Sequence, residues 1–181
     1  MNIGETLYVT DREDWRTWLK ENHSKKKEIW LVYFNKASGK KRIDYGEAVE
    51  EALCFGWIDS TVKKISVDSF AQRFTPRKSK FVSEPNRLRV KKMISQGRMT
   101  PAGLEKVSHV LTPKHDELVI PKEIMKELKQ DPVVWRNFQA FPEEYKKIRI
   151  DWIAASKDSF KTRLNYFIKM TRKNKRYGMI V

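Results

Sequence analysis

The spacing of apolar positions changes several times along the chain, and each change predicts an element. Thr10-Asp11-Arg12-Glu13 has the capping-box form, and Trp15, Trp18 and Leu19 follow at spacings of three and four, predicting a helix over residues 11–22. The run Ile29-Trp30-Leu31-Val32-Tyr33-Phe34 is short, aromatic and β-branched, as expected of a strand buried on both faces, and Ala37-Ser38-Gly39-Lys40 makes a turn after it. Asp44 is the expected cap of a helix reaching Phe55, with Ala48, Val49, Ala52 and Leu53 inward, Glu47, Glu50 and Glu51 outward, and Gly56 as its stop. Residues 57–76 read as a hairpin with a turn near Asp68-Ser69. In its second strand Phe70, Gln72 and Phe74 alternate with Ala71, Arg73 and Thr75, so Arg73 should face away from the two phenylalanines.

Ser83-Glu84-Pro85 opens a further helix that Gly97 closes, with Asn86, Val90, Met93 and Ile94 on one side. Beyond Gly97 the pattern is helical throughout, with starts near Pro101, Pro121, Pro132 and Pro142 and a last helix over roughly 158–176. Thr112-Pro113-Lys114-His115-Asp116 is the expected linker. The expected architecture is α+β: a core with a small antiparallel sheet and packed helices over residues 1–111, and an all-helical extension over 112–181 packed on it.

Charge sharpens this picture. The 181 residues carry 38 Lys and Arg against 23 Asp and Glu, a net charge of +15. Residues 73–98 hold nine basic residues and the single acid Glu84; residues 159–177 hold seven basic residues and no acid. These two segments account for the whole excess. Arg87, Arg89, Lys91 and Lys92 are expected around the solvent side of the first helix, while Lys169, Arg172, Lys173 and Arg176 recur at helical spacing on one face of the last. Such surfaces suit nucleic-acid phosphates or, less readily, anionic lipid.

Candidate chemistry is sparse. No apolar run approaches the roughly 20 residues of a membrane-spanning helix, and the N-terminus lacks the features of a secretory signal, so the expected compartment is the cytoplasm. His23, His109 and His115 lie in separate segments without metal-ligand spacing, and His23 and His115 are expected in exposed loops. Neither a metal nor a cofactor is called for. The lone Cys54 continues an apolar helix face and is expected to be a buried thiol. No nucleophile, base and orienting group form a set, so no catalytic residue is assigned.

The residues Tyr45 through Ser60, then Gln72-Arg73-Phe74-Thr75-Pro76-Arg77, Asn86, and Gly97 through Leu104 closely resemble the YdeI/OmpD-associated family, also called bacteriocin-protection proteins. The resemblance extends over nearly the whole chain, including Asp131-Pro132, residues 138–145, Trp152-Ile153 and Thr162-Arg163, although Lys161 and Tyr166 stand where the family's tail has an acid and an arginine. It implies a bacterial protein linked to bacteriocin, antimicrobial-peptide or envelope-stress tolerance, with a YjbR/CyaY-like N-terminal fold. Trp57, Asp59, Arg73, Arg77 and Asn86 are the expected site of a noncatalytic binding protein for an anionic or amphipathic ligand, because an aromatic face, a carboxylate and two guanidiniums could converge there. The alternatives are nonspecific nucleic-acid binding through the two basic segments and, more weakly, a small-molecule enzyme using Asp59 as base.

Overall fold

The computed structural model describes residues 2–112 and 116–178. Pro113, Lys114 and His115, and with them the middle of the expected linker, lie outside the described residues. The order of elements is β1 (Thr6–Leu7), α1 (Arg12–Asn22), β2 (Ile29–Phe34), α2 (Tyr45–Cys54), β3 (Trp57–Lys64), β4 (Ser69–Pro76), α3 (Glu84–Ser95), α4 (Pro101–Val107), α5 (Lys122–Lys129), α6 (Pro132–Ala140), α7 (Glu143–Ala154) and α8 (Phe160–Arg172). The protein is α+β with a helical C-terminal region, as the pattern predicts.

The chain divides into two units. The first comprises Met1–Val82 and Arg89–Val110, and the second comprises Ser83–Leu88 and Leu111–Val181. In the first, four strands form one sheet in the order β1-β2-β4-β3. β2, β4 and β3 are antiparallel neighbours, whereas β1 adds a parallel edge that a two-residue strand gives no periodicity to reveal. Ile29, Leu31 and Tyr33 lie opposite Phe74, Gln72 and Phe70, and Trp15 of α1 packs edge-on against Phe74 with ring centroids 5.4 Å apart. Arg73 is paired with Trp30 and therefore takes the other face, as the alternation requires.

Helix ends follow local chemistry. Asp11, one residue later than the predicted cap, accepts from the amides of Glu13 and Asp14, and Asp44 caps α2 in the same way. At the end of α3, the Gly97 amide bonds to the Ile94 carbonyl and the Arg98 amide to that of Met93, with Gly97 at φ 65°, which is a Schellman closure. Thr100 then caps α4, and its hydroxyl donates 2.6 Å to the carbonyl of Cys54. Gly103 makes that approach possible, because a Cβ there would overlap the Cys54 carbonyl oxygen. Cys54 is buried, which pushes its thiol up to about 11.

The charged positions of α2 depart from the amphipathic expectation. Glu50 and Glu51 are not outward: both are buried, and Glu51 has no exposure at all. Arg12 Nε (2.5 Å), Arg16 Nη1 (2.6 Å) and Arg98 Nε (2.8 Å) converge on Glu51, while Arg12 (3.0 Å) and Lys92 (2.7 Å) hold Glu50. Desolvation by itself is strongly unfavourable to a carboxylate, so these partners are what permits its burial.

The second unit has its own core. Ile124 and Leu128 of α5, Phe138 of α6, Tyr145 and Ile153 of α7 and Phe167 of α8 belong to one buried cluster. Asp131 caps α6 with Pro132 in its first turn, and Arg163 donates 2.5 Å to the Trp152 carbonyl while lying 4.8 Å from that ring's centre.

Burial raises the Glu51 carboxyl, but the hydrogen bonds from Arg16, Arg98 and Arg12 outweigh it and leave the group below its ordinary value of 4.5. A folded value below the unfolded one gives stability that is complete above that range and is lost as pH falls through the folded value. Glu51→Gln is expected to cost about 3–5 kcal/mol in denaturant unfolding and to flatten the acid limb of the stability profile; an unchanged midpoint at neutral pH would contradict a buried network.

Candidate functional site

The five residues expected to converge take different places. Trp57 lies opposite Pro76 and is buried, its indole donating 3.0 Å to the carbonyl of His23 and meeting Trp18 edge-on, so it offers no face to a ligand. His23 itself is half-buried against Phe55, not an exposed loop residue, with Nδ1 2.9 Å from the Leu19 carbonyl. Asp59 is paired with Phe74, and Arg73, the preceding residue of β4, points to the opposite side of the sheet. Arg77 is buried, its Nη2 donating 2.6 Å to the Phe81 carbonyl. Asn86 belongs to the second unit.

Asp59 takes the side that carries Phe74, and Arg77, just past the end of β4, is within its electrostatic reach. Burial lowers the Arg77 guanidinium, and the charge of Asp59 opposes that shift. Asp59 accepts from the Tyr45 hydroxyl at 2.7 Å and weakly from the Gln72 amide at 3.5 Å, and that amide also reaches the Ser60 carbonyl at 3.3 Å. Tyr33 stacks on Phe70 at 5.3 Å nearby. Two buried polar atoms here, the Tyr33 hydroxyl and Arg77 Nε, have no hydrogen-bond partner among the described residues. Burial, reinforced by Asp59, raises both Tyr33 and Tyr45 far above the ordinary phenol value. Tyr45, Gln72 and Asp59 thus form a bonded frame between α2 and the hairpin, and the carboxylate that a general base would need is already engaged.

Arg73 builds a separate place on the other face. Its Nε donates 2.9 Å to Glu28, its Nη2 contacts the same oxygen, and the Trp30 indole donates 3.2 Å to the second carboxylate oxygen. These bonds, Arg73's first, hold Glu28 below its ordinary value. Around them lies a cleft of about 660 Å³ lined by Lys27, Glu28, Ile58, Arg73, Thr75, Pro76 and Lys78. Three cations and one carboxylate share this lining with Ile58, Thr75 and Pro76. Sequence reading misses Lys27 and Glu28 because they precede β2. The available signal is the alternation, since Glu28 and Trp30 are two residues apart and Arg73 pairs with Trp30.

Of the nine cations in the first basic segment, Arg77, Arg87 and Arg89 are buried and Arg73, Lys91 and Arg98 half-buried, while Lys78, Lys80 and Lys92 are exposed. Arg87 and Arg89, expected on the surface, are buried; Arg87 binds Glu84 at 2.6 Å and also Asp116. Lys92 binds Glu50, Arg98 binds Glu51 and Glu13, and Lys91 is half-buried. Ile94, expected inward, is exposed. In the tail Lys169, Arg172, Lys173 and Arg176 are exposed as predicted, but Arg172 pairs with Asp131 at 2.8 Å. The stripe is also shorter than expected: α8 ends at Arg172 in a Schellman closure with Asn174 at φ 51°, the Lys175 amide bonding to Met170 and the Asn137 amide to Thr171. Among the described residues no group of His, Cys, Asp and Glu is arranged to hold a metal ion, and no helix is long and apolar enough to cross a membrane.

A family model described as "Domain of unknown function (DUF8412)" matches residues 7–106, and one described as "Bacteriocin-protection, YdeI or OmpD-Associated" matches residues 117–174. The YdeI/OmpD match therefore falls on the helical tail, and the motifs of residues 45–104 lie within the other model. No curated protein and no solved structure matches the chain.

The phenols provide a direct check on the frame. A folded value above the unfolded one contributes stability below the ordinary tyrosine value of 10.0, lost as pH rises through the folded value. In a phenolate absorbance titration of the native protein, Tyr33→Phe and Tyr45→Phe are expected to leave the rise near pH 10 undiminished. Loss of one tyrosine's share of that rise in either variant would place that phenol in solvent.

Proposed function

The chain belongs to the DUF8412 family, whose model covers 100 of its 181 residues, and on that premise we propose that it is a noncatalytic binding protein for an anionic ligand seated in the cleft of Lys27, Arg73 and Lys78. The observation that carries this reading is the imbalance of three cations against Glu28 around an open cleft. An oxyanion would compete with Glu28 for the planar fork of Arg73, while Lys27 and Lys78 add point charge. Ile58, Thr75 and Pro76 would accept an apolar portion, which favours an amphipathic anion over a bare one. Asp59 then belongs to the bonded frame with Tyr45 and Gln72, and Trp57 and Arg77 serve as buried structural residues.

The YdeI/OmpD-associated segment supports a role in bacteriocin, antimicrobial-peptide or envelope-stress tolerance in a bacterial cytoplasm, and the helix, strand, helix, hairpin order supports a YjbR/CyaY-like relationship for the N-terminal part. Nucleic-acid binding ranks second, because Arg87, Lys92 and Arg98 already have carboxylate partners and Arg87 and Arg89 are buried. An enzymatic role for Asp59 ranks behind both.

Calorimetric titration with inorganic phosphate and octyl phosphate tests the reading. Octyl phosphate is expected to bind more tightly, and Lys27→Gln and Lys78→Gln each to weaken it by about tenfold without changing the melting temperature. Absence of binding, or variants that bind like the parent chain, would refute it. Tighter binding to duplex DNA, with a steep salt dependence, would favour the second reading.

A further inference from the structure

The loop joining β3 to β4 carries apolar side chains into solvent. Val67 is 88% exposed, Val62 56% and Ile65 45%. Val62 belongs to the end of β3, and Ile65 and Val67 sit on an ordered turn, because the amides of Ile65 (3.0 Å) and Ser66 (3.1 Å) bond to the Ser69 carbonyl and the Ser66 hydroxyl reaches Asp68 at 2.5 Å. The segment that leaves β2 is tied to the same tip: the Asn35 amide donates 2.7 Å to the Asp68 carbonyl and its side chain 3.2 Å to that of Val67. Together, residues 35–41 and 62–68 contain Lys36, Lys40, Lys41, Lys63 and Lys64 against the single acid Asp68. All five lysines but Lys63 are exposed.

We propose that this tip is a docking surface for an anionic lipid bilayer, with Val67 and Ile65 entering the headgroup boundary and the lysines bound to the lipid charge. Charge complementarity argues for this occupant, since each lysine near an anionic leaflet adds to attraction and the aliphatic groups add burial. Single-stranded nucleic acid would need aromatic rings on which bases stack, and the protruding side chains are aliphatic. Protein interfaces are depleted in lysine. The surface is distinct from the cleft of Lys27, Arg73 and Lys78 and stands or falls separately from it.

The test is sedimentation of the full chain with vesicles of phosphatidylcholine alone and of phosphatidylcholine with about one-third phosphatidylglycerol. Binding is expected only to the anionic vesicles. The double variant Ile65→Ser, Val67→Ser should weaken it at least about fivefold and Lys40→Gln with Lys64→Gln about tenfold or more, at unchanged melting temperature. Lys169→Gln with Lys173→Gln, and Lys27→Gln with Lys78→Gln, should leave it intact. Three results would overturn the proposal: no binding to anionic vesicles, binding undiminished by the serine variants, or binding abolished by the tail variants.

Discussion

Glu51 is a carboxylate without solvent, and the first unit is organised by what that requires. Three guanidiniums reach it, two from α1 and one from the residue that follows the Schellman turn of α3. Its neighbour Glu50 is held by Arg12 and by Lys92 of α3. A lone buried charge would cost several kcal/mol, so α1, α2 and the end of α3 must take up their mutual positions for the ions to be compensated. Such pairs add little net stability over apolar packing; their consequence is specificity of arrangement, since removing any one partner leaves the others exposed to the full desolvation cost.

The same constraint redistributes the charge of the chain. A net +15 spread over a surface would make a general polyanion binder. Here several cations of the first basic segment are matched by carboxylates, and three groups of exposed or half-exposed cations stand out from the rest of the surface: those of the cleft beside Arg73, the lysines around the β3–β4 tip, and the exposed side of α8. Function is read from those remainders.

What could be read without coordinates follows from the range of the interaction involved. Helical and strand periods are local, and α1, α2, the β3–β4 hairpin and the helical tail are legible from them. The two-residue β1 has no period to detect. Glu50 and Glu51 look solvent-facing because an amphipathic reading sends every charge outward, and the arginines that contradict it lie 35–47 residues away in sequence. Arg73 hides its partner in the same way, since Glu28 is 45 residues distant. Several residues of the motifs that carry the resemblance hold the fold together: Gly56 at φ 73° ends α2, as its position predicts, Trp57, expected in the site, fills the core, Thr100 and Gly103 bring α4 against Cys54, and Arg163 braces Trp152. A long motif therefore marks the family without marking a site.

That much of the basic excess is internal charge balance can be measured at the guanidiniums themselves. Each of Arg12, Arg98 and Arg87 donates its Nε–H to a carboxylate, the first two to Glu51 and the third to Glu84. Hydrogen exchange of arginine Nε–H groups, followed by nuclear magnetic resonance in the folded chain, should show these three protected by orders of magnitude relative to free arginine. Exchange of all three at the rate of free arginine would mean that the guanidiniums stand in solvent, and the buried carboxylate could not be what holds the unit together.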